Sequence, residues 1–281
     1  MTRPVILMLG HGYSAAALAA SLAGWRRMGT TRTPEGAAAM RTAGVDPIDW
    51  ADPGAVDAAI AEASHLLVSA PPGAAGDPVL ARHGTALAAA PAGWVGDLST
   101  TGVYGDRQGG WVEETDPPAP GNARSRWRLE AEAAWLASGL PVNVFRLAGI
   151  YGPGRSAFDR LREGRAQRVV KAGQVFSRIH VDDIAAALRA SMARPDPGRV
   201  YNVADDLPAP AGEVIAYAAE LLGMPPPPEV ALEDAGLSPM ARSFWEESRR
   251  VSNRRLREEL GVTLAYPDYR AGLRGILAAG G

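Results

Sequence analysis

A glycine-rich turn near the start of the chain constrains its fold more than any other feature. In LMLGHGYSAAALAA, residues 7–20, an apolar run ends at Gly10 and a helical pattern follows. Gly10, Gly12 and Ala15 fit G-x-G-x-x-A, in which the glycines permit a tight turn and close approach of a diphosphate, and the small third residue lets helix and strand pack closely. The turn predicts a dinucleotide site, and an incidental βα turn is the alternative. The residues assigned to this site are Gly10, His11, Gly12, Tyr13, Ser14 and Ala15.

Short apolar runs alternate with helical patterns up to about residue 150. Strands that are apolar throughout, with helices between them, are typical of a parallel sheet covered on both faces. We therefore expect an α/β fold with a doubly wound parallel Rossmann sheet. The predicted strands are PVILML, MGTTR, VDPID, HLLVSA, GWVGDL and PVNVF, followed later by VFSRIHV and RVYNVA. The predicted helices lie near residues 13–24, 35–43, 53–62, 76–90, 122–138 and 182–193, and the tail beyond residue 205 is also helical.

The composition of the 281 residues excludes several classes of function. A formal net charge of −2 leaves no basic excess for a nucleic-acid partner. The chain has no cysteine, which excludes disulfides and thiolate catalysis, and no metal site is predicted. The apolar run from Val5 to Leu9 is too short for a signal peptide, and no run approaches the roughly 18 residues that span a bilayer. We therefore expect a cytoplasmic globular protein without a membrane partner.

The end of the second predicted strand distinguishes between two cofactors. An NAD-specific site has Asp or Glu about 20 residues after the glycine-rich turn, where it holds the ribose 2′-hydroxyl. This chain has Thr31, Arg32 and Thr33 instead. A guanidinium flanked by hydroxyls suits a 2′-phosphate, with which arginine forms strong bidentate bonds. The stretch predicts NADP, with NAD still allowed, and a solvated arginine is the alternative.

Residues at the other strand ends meet at one edge of the predicted sheet, where doubly wound folds bind ligands. Each stretch alone is typical of an ordinary surface loop. Their position at one shared edge of the sheet is what favours a binding role. The further candidates for cofactor contact are Asp49, Trp50, Ser69, Ala70, Pro71 and Ser99.

Four later motifs resemble those of the extended short-chain dehydrogenases/reductases, the NAD-dependent epimerase/dehydratase proteins. They are STTGVYG, RLAGIYGPG, RIHVDDIA and VSNRRLREELGVTLAYPDYRAGL, and the resemblance covers nearly the whole chain, closest to atypical bacterial members. It implies a Rossmann core, residues 1–152 with 182–204, and a small C-terminal substrate-capping domain, residues 153–181 with 205–281. It also implies a Ser/Thr–Tyr–Lys active site, with Thr100 in the Ser/Thr place.

The helix ARSRWRLEAEAAW, residues 123–135, departs from that family. The family carries Y-x-x-x-K followed four residues later by Glu, so that Glu132 puts Arg124 at the Tyr position and Arg128 at the Lys position. An arginine side chain has a pKa above about 12 and cannot exchange a proton near neutral pH. The two arginines are interpreted as a clamp for a carboxylate or phosphate, or else as solvated helix charges. Since Lys171 is the one lysine among 29 basic residues, compositional bias toward arginine is a further explanation.

Several later residues are candidate substrate contacts. The family places Tyr104 and Tyr151 beside the substrate, and either is an alternative proton donor. Gly149 stands where sugar-nucleotide enzymes of the family carry Asn, which puts a nucleotide-sugar substrate in doubt. His180 is more typical of a structural loop residue. The stretch VVKAGQVFSRIHV contains three candidates, Lys171, Arg178 and His180. Lys171 and Arg178 are candidates for binding an anionic group of the substrate.

The favoured hypothesis is an NADP(H)-binding oxidoreductase that transfers hydride to or from a small anionic carbonyl compound. Thr100 would position the carbonyl oxygen, and Arg124 with Arg128 would stabilise negative charge. One alternative is a non-catalytic NADP(H) sensor whose cap binds a protein partner, and another is a nucleotide-sugar epimerase or dehydratase. The lost tyrosine favours the sensor, whereas the retained YGPG and RIHVDD motifs favour a substrate. Assembly as a homodimer stays open.

Overall fold

The computed structural model describes residues 3–280, with Met240 described by its backbone alone. The strands are β1 (Val5–Leu9), β2 (Arg26–Thr31), β3 (Asp46–Asp49), β4 (His65–Val68), β5 (Trp94–Thr100), β6 (Trp111–Val112), β7 (Val142–Leu147), β8 (Gly149–Tyr151), β9 (Arg168–Val170), β10 (Arg178–His180), β11 (Val200–Val203), β12 (Glu229–Ala231) and β13 (Arg250–Val251). The α-helices are α1 (Tyr13–Ser21), α2 (Pro34–Thr42), α3 (Pro53–Glu62), α4 (Pro78–Ala88), α5 (Ala123–Leu136), α6 (Ala157–Arg162), α7 (Val181–Ala193), α8 (Ala211–Leu221), α9 (Pro239–Ser243), α10 (Arg254–Glu258) and α11 (Tyr269–Ala278).

The central sheet confirms the predicted doubly wound fold. Its seven strands lie in the order β11-β7-β5-β4-β1-β2-β3, and each neighbouring pair is parallel. The chain moves outward in one direction from β1 through β2 to β3, and in the other direction from β4 onward. The crevice outside the carboxyl ends of β1 and β4 is therefore the switch point at which such sheets bind ligands.

Two apolar cores cover the two faces of this sheet. Along β1, Ile6 and Met8 belong to the core that includes Leu18 of α1, whereas Leu7 and Leu9 belong to the opposite core. Because successive side chains of a strand point to opposite faces, a strand buried on both sides must be apolar throughout. This is why the apolar runs predicted the strands of the sheet.

Local backbone chemistry sets the helix boundaries. α1 ends at Ser21 rather than near residue 24, because Gly24 adopts a φ of +78°, which a helix cannot contain. The helices α3 and α4 begin with a capping aspartate, Asp52 and Asp77, and each has proline in its first turn. α5 is capped by Asn122, whose side chain accepts a hydrogen bond from the Ser125 N–H at 3.0 Å.

A third apolar cluster lies apart from the sheet. It joins α6, α8 and α11 through Phe158, Ile215 and Leu273, with Tyr151 and Tyr269 beside them. Three short parallel strand pairs, β8 with β10, β9 with β12 and β6 with β13, were not predicted. Of the strand-like stretch VFSRIHV, only the residues of β10 form a strand. The division into a core and a cap at the stated boundaries stays a prediction.

No helix among residues 3–280 combines the length and the apolar character that crossing a membrane requires.

Candidate active site

The glycine-rich turn after β1 is tied to both neighbouring strands. Gly10 has a φ of +100°, and a Cβ on it would lie 2.9 Å from the backbone nitrogen of Ala70 and 2.9 Å from Ser69 Oγ. The Gly10 N–H donates to Thr30 Oγ1 at 2.8 Å, and Ser69 Oγ donates to the Gly10 carbonyl at 2.5 Å. Ser69 and Ala70 therefore hold the turn in place, and only glycine fits at its first position.

The N-terminus of α1 is open directly beyond this turn. Gly12 precedes the helix in an extended conformation, with φ −94° and ψ −168°, and no side chain caps the helix. A Cβ on Gly12 would have nothing within 4 Å, and the first turn contains no acidic residue. Ala15 is fully buried in the core between helix and sheet. Unpaired N–H groups beside open space are what a diphosphate requires, so the residues present fit a dinucleotide.

The side chains between these positions pack rather than point to open space. His11 lies against Gly29 of β2, where a Cβ would be 3.1 Å from His11 Cδ2, and burial lowers the pKa of the imidazole. Ser14 is buried. The Tyr13 hydroxyl donates to the Pro153 carbonyl at 2.9 Å. Tyr13 and Ser14 are therefore available to a cofactor mainly through their backbone N–H groups, whereas the His11 N–H already donates to the Thr30 carbonyl at 3.2 Å.

The residue that follows β2, Arg32, has a guanidinium that is free to bind a ligand. Arg32 is exposed, and within residues 3–280 it forms no hydrogen bond or ion pair. Thr33 caps α2, because its Oγ1 accepts the Gly36 N–H at 3.0 Å, and Thr31 Oγ1 bonds within the same turn. The two hydroxyls therefore shape the turn, and Arg32 is the group left to bind a phosphate.

The end of β3 carries an aromatic ring. Trp50 is half-buried at the end of β3, with its ring edge-on to His83 at 5.2 Å and the Arg82 guanidinium 5.3 Å from its centroid. The Asp49 carboxylate accepts the Ala51 N–H at 2.9 Å and so fixes the turn that carries Trp50. Pro71 follows β4 beside Ala70.

The end of β5 carries Thr100, the predicted carbonyl-positioning residue. Thr100 is half-buried, and its Oγ1 accepts the Gly102 N–H at 3.1 Å, which leaves the hydroxyl proton free to donate. Ser99, which precedes it, is buried and donates to Glu132. The prediction that Ser99 contacts the cofactor is therefore wrong, because its hydroxyl faces α5 and is already bonded.

A buried polar network lies behind this strand end. Arg146 of β7 forms an ion pair with Glu132 at 2.8 Å, and its other arm donates to the Tyr104 hydroxyl at 3.0 Å. Tyr104 in turn donates to Asn202 Oδ1 at 2.7 Å and is 0% exposed. Burial raises the pKa of Tyr104. Tyr104 is thus neither a substrate contact nor a substitute proton donor, which corrects both predictions.

Arg128, at the position of the family lysine, is anchored under the site. Its Nη1 donates to the Leu98 carbonyl at 2.9 Å. Desolvation lowers the pKa of Arg128, and the nearby carboxylate of Asp97 opposes that shift. Asp97 is 2% exposed and its Oδ1 has no hydrogen-bond partner among the described residues. Burial raises the pKa of Asp97 to about 7, with Arg128 acting against the rise. Arg128 is therefore not a solvated helix charge.

Sequence reasoning missed Asp97 as a member of this site. The one signal was a single carboxylate in the otherwise apolar strand GWVGDL.

Arg124 lies on the same side of α5 as Arg128 but is exposed. Positions 124, 128, 131 and 135 follow helical spacing, and Ala131 and Trp135 of this set are buried. The first turn of α5 lies next to the residues that follow β5, since a Cβ on Gly102 would be 2.8 Å from Ser125 Oγ. Arg124 is exposed, and it forms no hydrogen bond or ion pair within residues 3–280.

The remaining predicted substrate residues are committed to structure. Tyr151 is 8% exposed, and its hydroxyl donates to the Asp268 carbonyl at 3.3 Å. Burial raises the pKa of Tyr151 well above its usual range, so it is no proton donor. His180 is 1% exposed and caps α7 by accepting the Asp182 N–H at 3.3 Å. The predictions of a substrate role for both residues are wrong for the same reason, their burial.

The two basic candidates also bond to the protein. Arg178 donates to the carbonyls of Phe176 and Ala209, at 2.8 and 2.9 Å, and desolvation lowers its pKa while the buried Asp205 opposes this. Lys171 donates to the carbonyl of Trp245. Both cations tie loops together instead of standing free for a substrate anion. Among residues 3–280, no cluster of His, Asp or Glu is arranged to hold a metal ion.

Two solved structures are similar to this protein over nearly its whole length. A functionally unknown conserved protein from Silicibacter pomeroyi DSS is 54% identical, with a TM-score of 0.93 over 98% of this chain and 99% of the other. A structure from Methylobacillus flagellatus, assigned to the NAD-dependent epimerase/dehydratases, is 26% identical, with a TM-score of 0.74 over 99% of each chain. These matches confirm the predicted resemblance to the extended short-chain dehydrogenases/reductases, the NAD-dependent epimerase/dehydratase proteins.

The curated relatives carry less functional information. Protein YeeZ of Escherichia coli (strain K12) is 29% identical over 282 residues, which cover 94% of this chain and 96% of YeeZ. A 3-diazoavenalumate denitrifying reductase of a Streptomyces species is 32% identical over 173 residues, which cover 56% of this chain and 55% of that protein. No protein-family model matches the chain.

More distant neighbours share the fold and were solved with NAD. A UDP-glucuronic acid 4-epimerase from Bacillus cereus, in complex with NAD, is 16% identical, with a TM-score of 0.76 over 98% of this chain and 96% of that one. At this identity the likeness shows the fold alone. This chain has Arg124 and Arg128 where the family's motif has Tyr and Lys. A function proposed for the chain has to account for that difference.

Proposed function

We propose that this protein is an NADP(H)-dependent oxidoreductase that acts on a small carbonyl compound bearing an anionic group. The observation that carries the proposal is the uncapped N-terminus of α1 with open space at Gly12. The unpaired Arg32 stands at the end of the adjacent strand. A dinucleotide carries negative charge at the diphosphate and, in NADP, at the 2′-phosphate, and these two features match both groups.

Each part of the cofactor has a candidate partner in the chain. The backbone N–H groups of Tyr13 and Ser14 suit the diphosphate, Arg32 suits the 2′-phosphate, and the Trp50 ring suits the adenine. When bound, the nicotinamide supplies or accepts a hydride. NAD would fit the same groove without the contribution of Arg32.

The protein's own groups orient the substrate. Thr100 Oγ1 accepts from Gly102 and therefore has its proton to donate to a carbonyl oxygen. Arg124 is exposed in the first turn of α5, beside the residues that follow β5. It suits a carboxylate or phosphate on the substrate, because a guanidinium forms a bidentate pair with such groups. In the reductive direction, water supplies the proton to the substrate oxygen, since Tyr104 and Tyr151 are buried.

A non-catalytic NADP(H) sensor is the second candidate, and the loss of the family's tyrosine favours it. The family's tyrosine is absent, and neither Tyr104 nor Tyr151 is placed to replace it. The Streptomyces relative, named a reductase, supports the enzymatic alternative. A nucleotide-sugar substrate is less favoured, because Gly149 has no side chain to contact it.

The proposal is tested by a thermal-shift screen of 2-oxo acids and carboxylate-bearing aldehydes, with and without NADPH. An oxidoreductase predicts ligands that stabilise the protein more strongly when NADPH is present, and oxidation of NADPH followed at its absorbance band. NADPH binding without any such ligand or turnover would support the sensor instead. A protein that binds no dinucleotide contradicts both candidates.

The role of Arg124 is tested with the same ligands in a graded series. Arg124→Lys should weaken an anionic ligand in part, because a point charge cannot form the bidentate fork, and Arg124→Tyr should weaken it by about tenfold. Arg126→Ala is the matched control, since Arg126 is also exposed on α5 but lies on another side of the helix. Equal affinities across all four proteins would discard the clamp.

A further inference from the structure

The loop after β8 reaches back to the first residue of α1. The Tyr13 hydroxyl donates to the Pro153 carbonyl at 2.9 Å, a contact between residues 140 positions apart in sequence. The fit is close, because a Cβ on Gly152 would lie 2.5 Å from that hydroxyl and 2.8 Å from Val181 Cγ1. The loop is therefore packed directly against the helix end whose N–H groups are open.

This loop holds Arg155 in a defined place. Gly152 and Arg155 exchange two backbone hydrogen bonds, at 3.0 and 3.3 Å, and Gly154 between them has a φ of +70°. The next residue, Ser156, caps α6 through a reciprocal capping box with Asp159. The backbone on both sides of Arg155 is thus fixed, which lowers the entropy that its side chain loses on binding a ligand.

The Arg155 guanidinium is free to bind a ligand. It lies 5.8 Å from the centroid of the Tyr13 ring, it is exposed, and within residues 3–280 it forms no hydrogen bond or ion pair. Asp159 and Asp182 lie close enough to influence the Tyr13 hydroxyl, but neither pairs with Arg155. The Asp159 carboxylate is bonded to Ser156 instead. A free cation therefore stands beside a helix N-terminus that no side chain caps.

We propose that Arg155 is a cationic ligand of the cofactor's diphosphate, in addition to the N–H groups of α1, and that the Tyr13–Pro153 contact holds it beside them. This inference rests on the proposed function, because it requires a dinucleotide at α1. A helix N-terminus carries only about half of an elementary charge, whereas a diphosphate bridge carries two negative charges. One guanidinium on the loop side would balance most of the remainder. Tyr13 is then a positioning residue that joins the two halves of the site.

The test compares cofactor fragments in calorimetry. Arg155→Ala should weaken NADPH, NADH and ADP-ribose by a similar factor of about ten, the loss of one charge-assisted contact. It should weaken adenosine 2′,5′-bisphosphate by a clearly smaller factor, because that ligand has a single 5′-phosphate in place of the diphosphate. Arg32→Ala should give the reverse pattern, with losses for NADPH and the bisphosphate and none for NADH or ADP-ribose. Arg160→Ala, which removes an exposed arginine from α6, is the matched charge control.

The outcomes separate the inference from the proposed function. If the unmodified protein binds ADP-ribose and Arg155→Ala binds it as tightly as Arg160→Ala does, Arg155 is a surface charge and the inference is overturned. If the unmodified protein binds neither NADPH nor ADP-ribose, the proposed function fails, and the role of Arg155 fails with it. Tyr13→Phe, which removes the hydroxyl and keeps the ring, should weaken all diphosphate ligands by a smaller factor than Arg155→Ala does.

Discussion

The buried carboxylate of Asp97 should make the protein less stable as the pH rises from about 4 to about 7. Burial raises the pKa of Asp97 from 3.8 to about 7, and the charge of Arg128 only partly offsets this. Between these two values the folded state keeps a proton that the unfolded state releases. Stability from this group is fully present below the unfolded pKa and is lost as the pH rises through the folded pKa. At 1.36 kcal/mol per pKa unit, the whole loss is about 4 kcal/mol.

The substitution Asp97→Asn removes this titration while it preserves the shape of the side chain. Urea unfolding at a series of pH values from 4 to 8 gives the free energy of unfolding of each protein. The variant should gain stability relative to the unmodified protein as the pH rises, by up to about 4 kcal/mol at pH 8. Burial also raises the pKa of Asp205, to about 8, but this carboxyl is present in both proteins and cancels in the difference.

Two further variants sharpen the measurement. Asp234→Asn removes an exposed carboxylate and should leave the pH dependence unchanged. Arg128→Met removes the charge that opposes the rise, so it should extend the loss of stability to higher pH. If the curves of the unmodified protein and Asp97→Asn run parallel across this range, Asp97 is ionised in the folded state, and its assignment as a protonated buried carboxyl is wrong.

Two other perturbations test the cofactor preference and the buried network. Arg32→Ala should weaken the binding of NADPH by on the order of 1.5–3 kcal/mol, roughly tenfold to hundredfold in affinity, and leave the affinity for NADH unchanged. Equal losses of affinity for both cofactors in calorimetry would make Arg32 an ordinary surface charge. Glu132→Leu should lower the free energy of unfolding by about 3–5 kcal/mol, because it leaves the guanidinium of Arg146 buried without its partner. Urea unfolding measures this, and a change below about 1 kcal/mol would mean that water or another group compensates Arg146.

The sheet and the glycine-rich turn could be predicted because both depend on local sequence. A strand buried on both faces is apolar at each position, and the turn requires glycine where φ is positive, as at Gly10. The end of α1 was predicted too late, although Gly24 already stood in the sequence as a stop signal.

The wrong assignments share a different physical cause. Tyr104 bonds to Asn202, 98 positions away, and Tyr151 bonds to Asp268, 117 positions away. Such partners decide whether a hydroxyl faces a substrate or the interior, and no local spacing reveals them. The same holds for Arg124 and Arg128, which are equivalent by helical spacing. Arg128 is anchored by the Leu98 carbonyl, 30 positions away, whereas Arg124 has no such partner among the described residues.

The central claim, a dinucleotide at the N-terminus of α1, is tested most directly by NADPH fluorescence with Gly12→Val. The backbone of Gly12 is extended, with φ −94°, and a Cβ there meets nothing within 4 Å, so the fold should tolerate valine. Circular dichroism should therefore be unchanged. The unmodified protein should enhance NADPH fluorescence, and the variant should not, because the side chain occupies the space that the diphosphate needs. A folded Gly12→Val protein that binds NADPH as tightly as the unmodified protein would contradict the account.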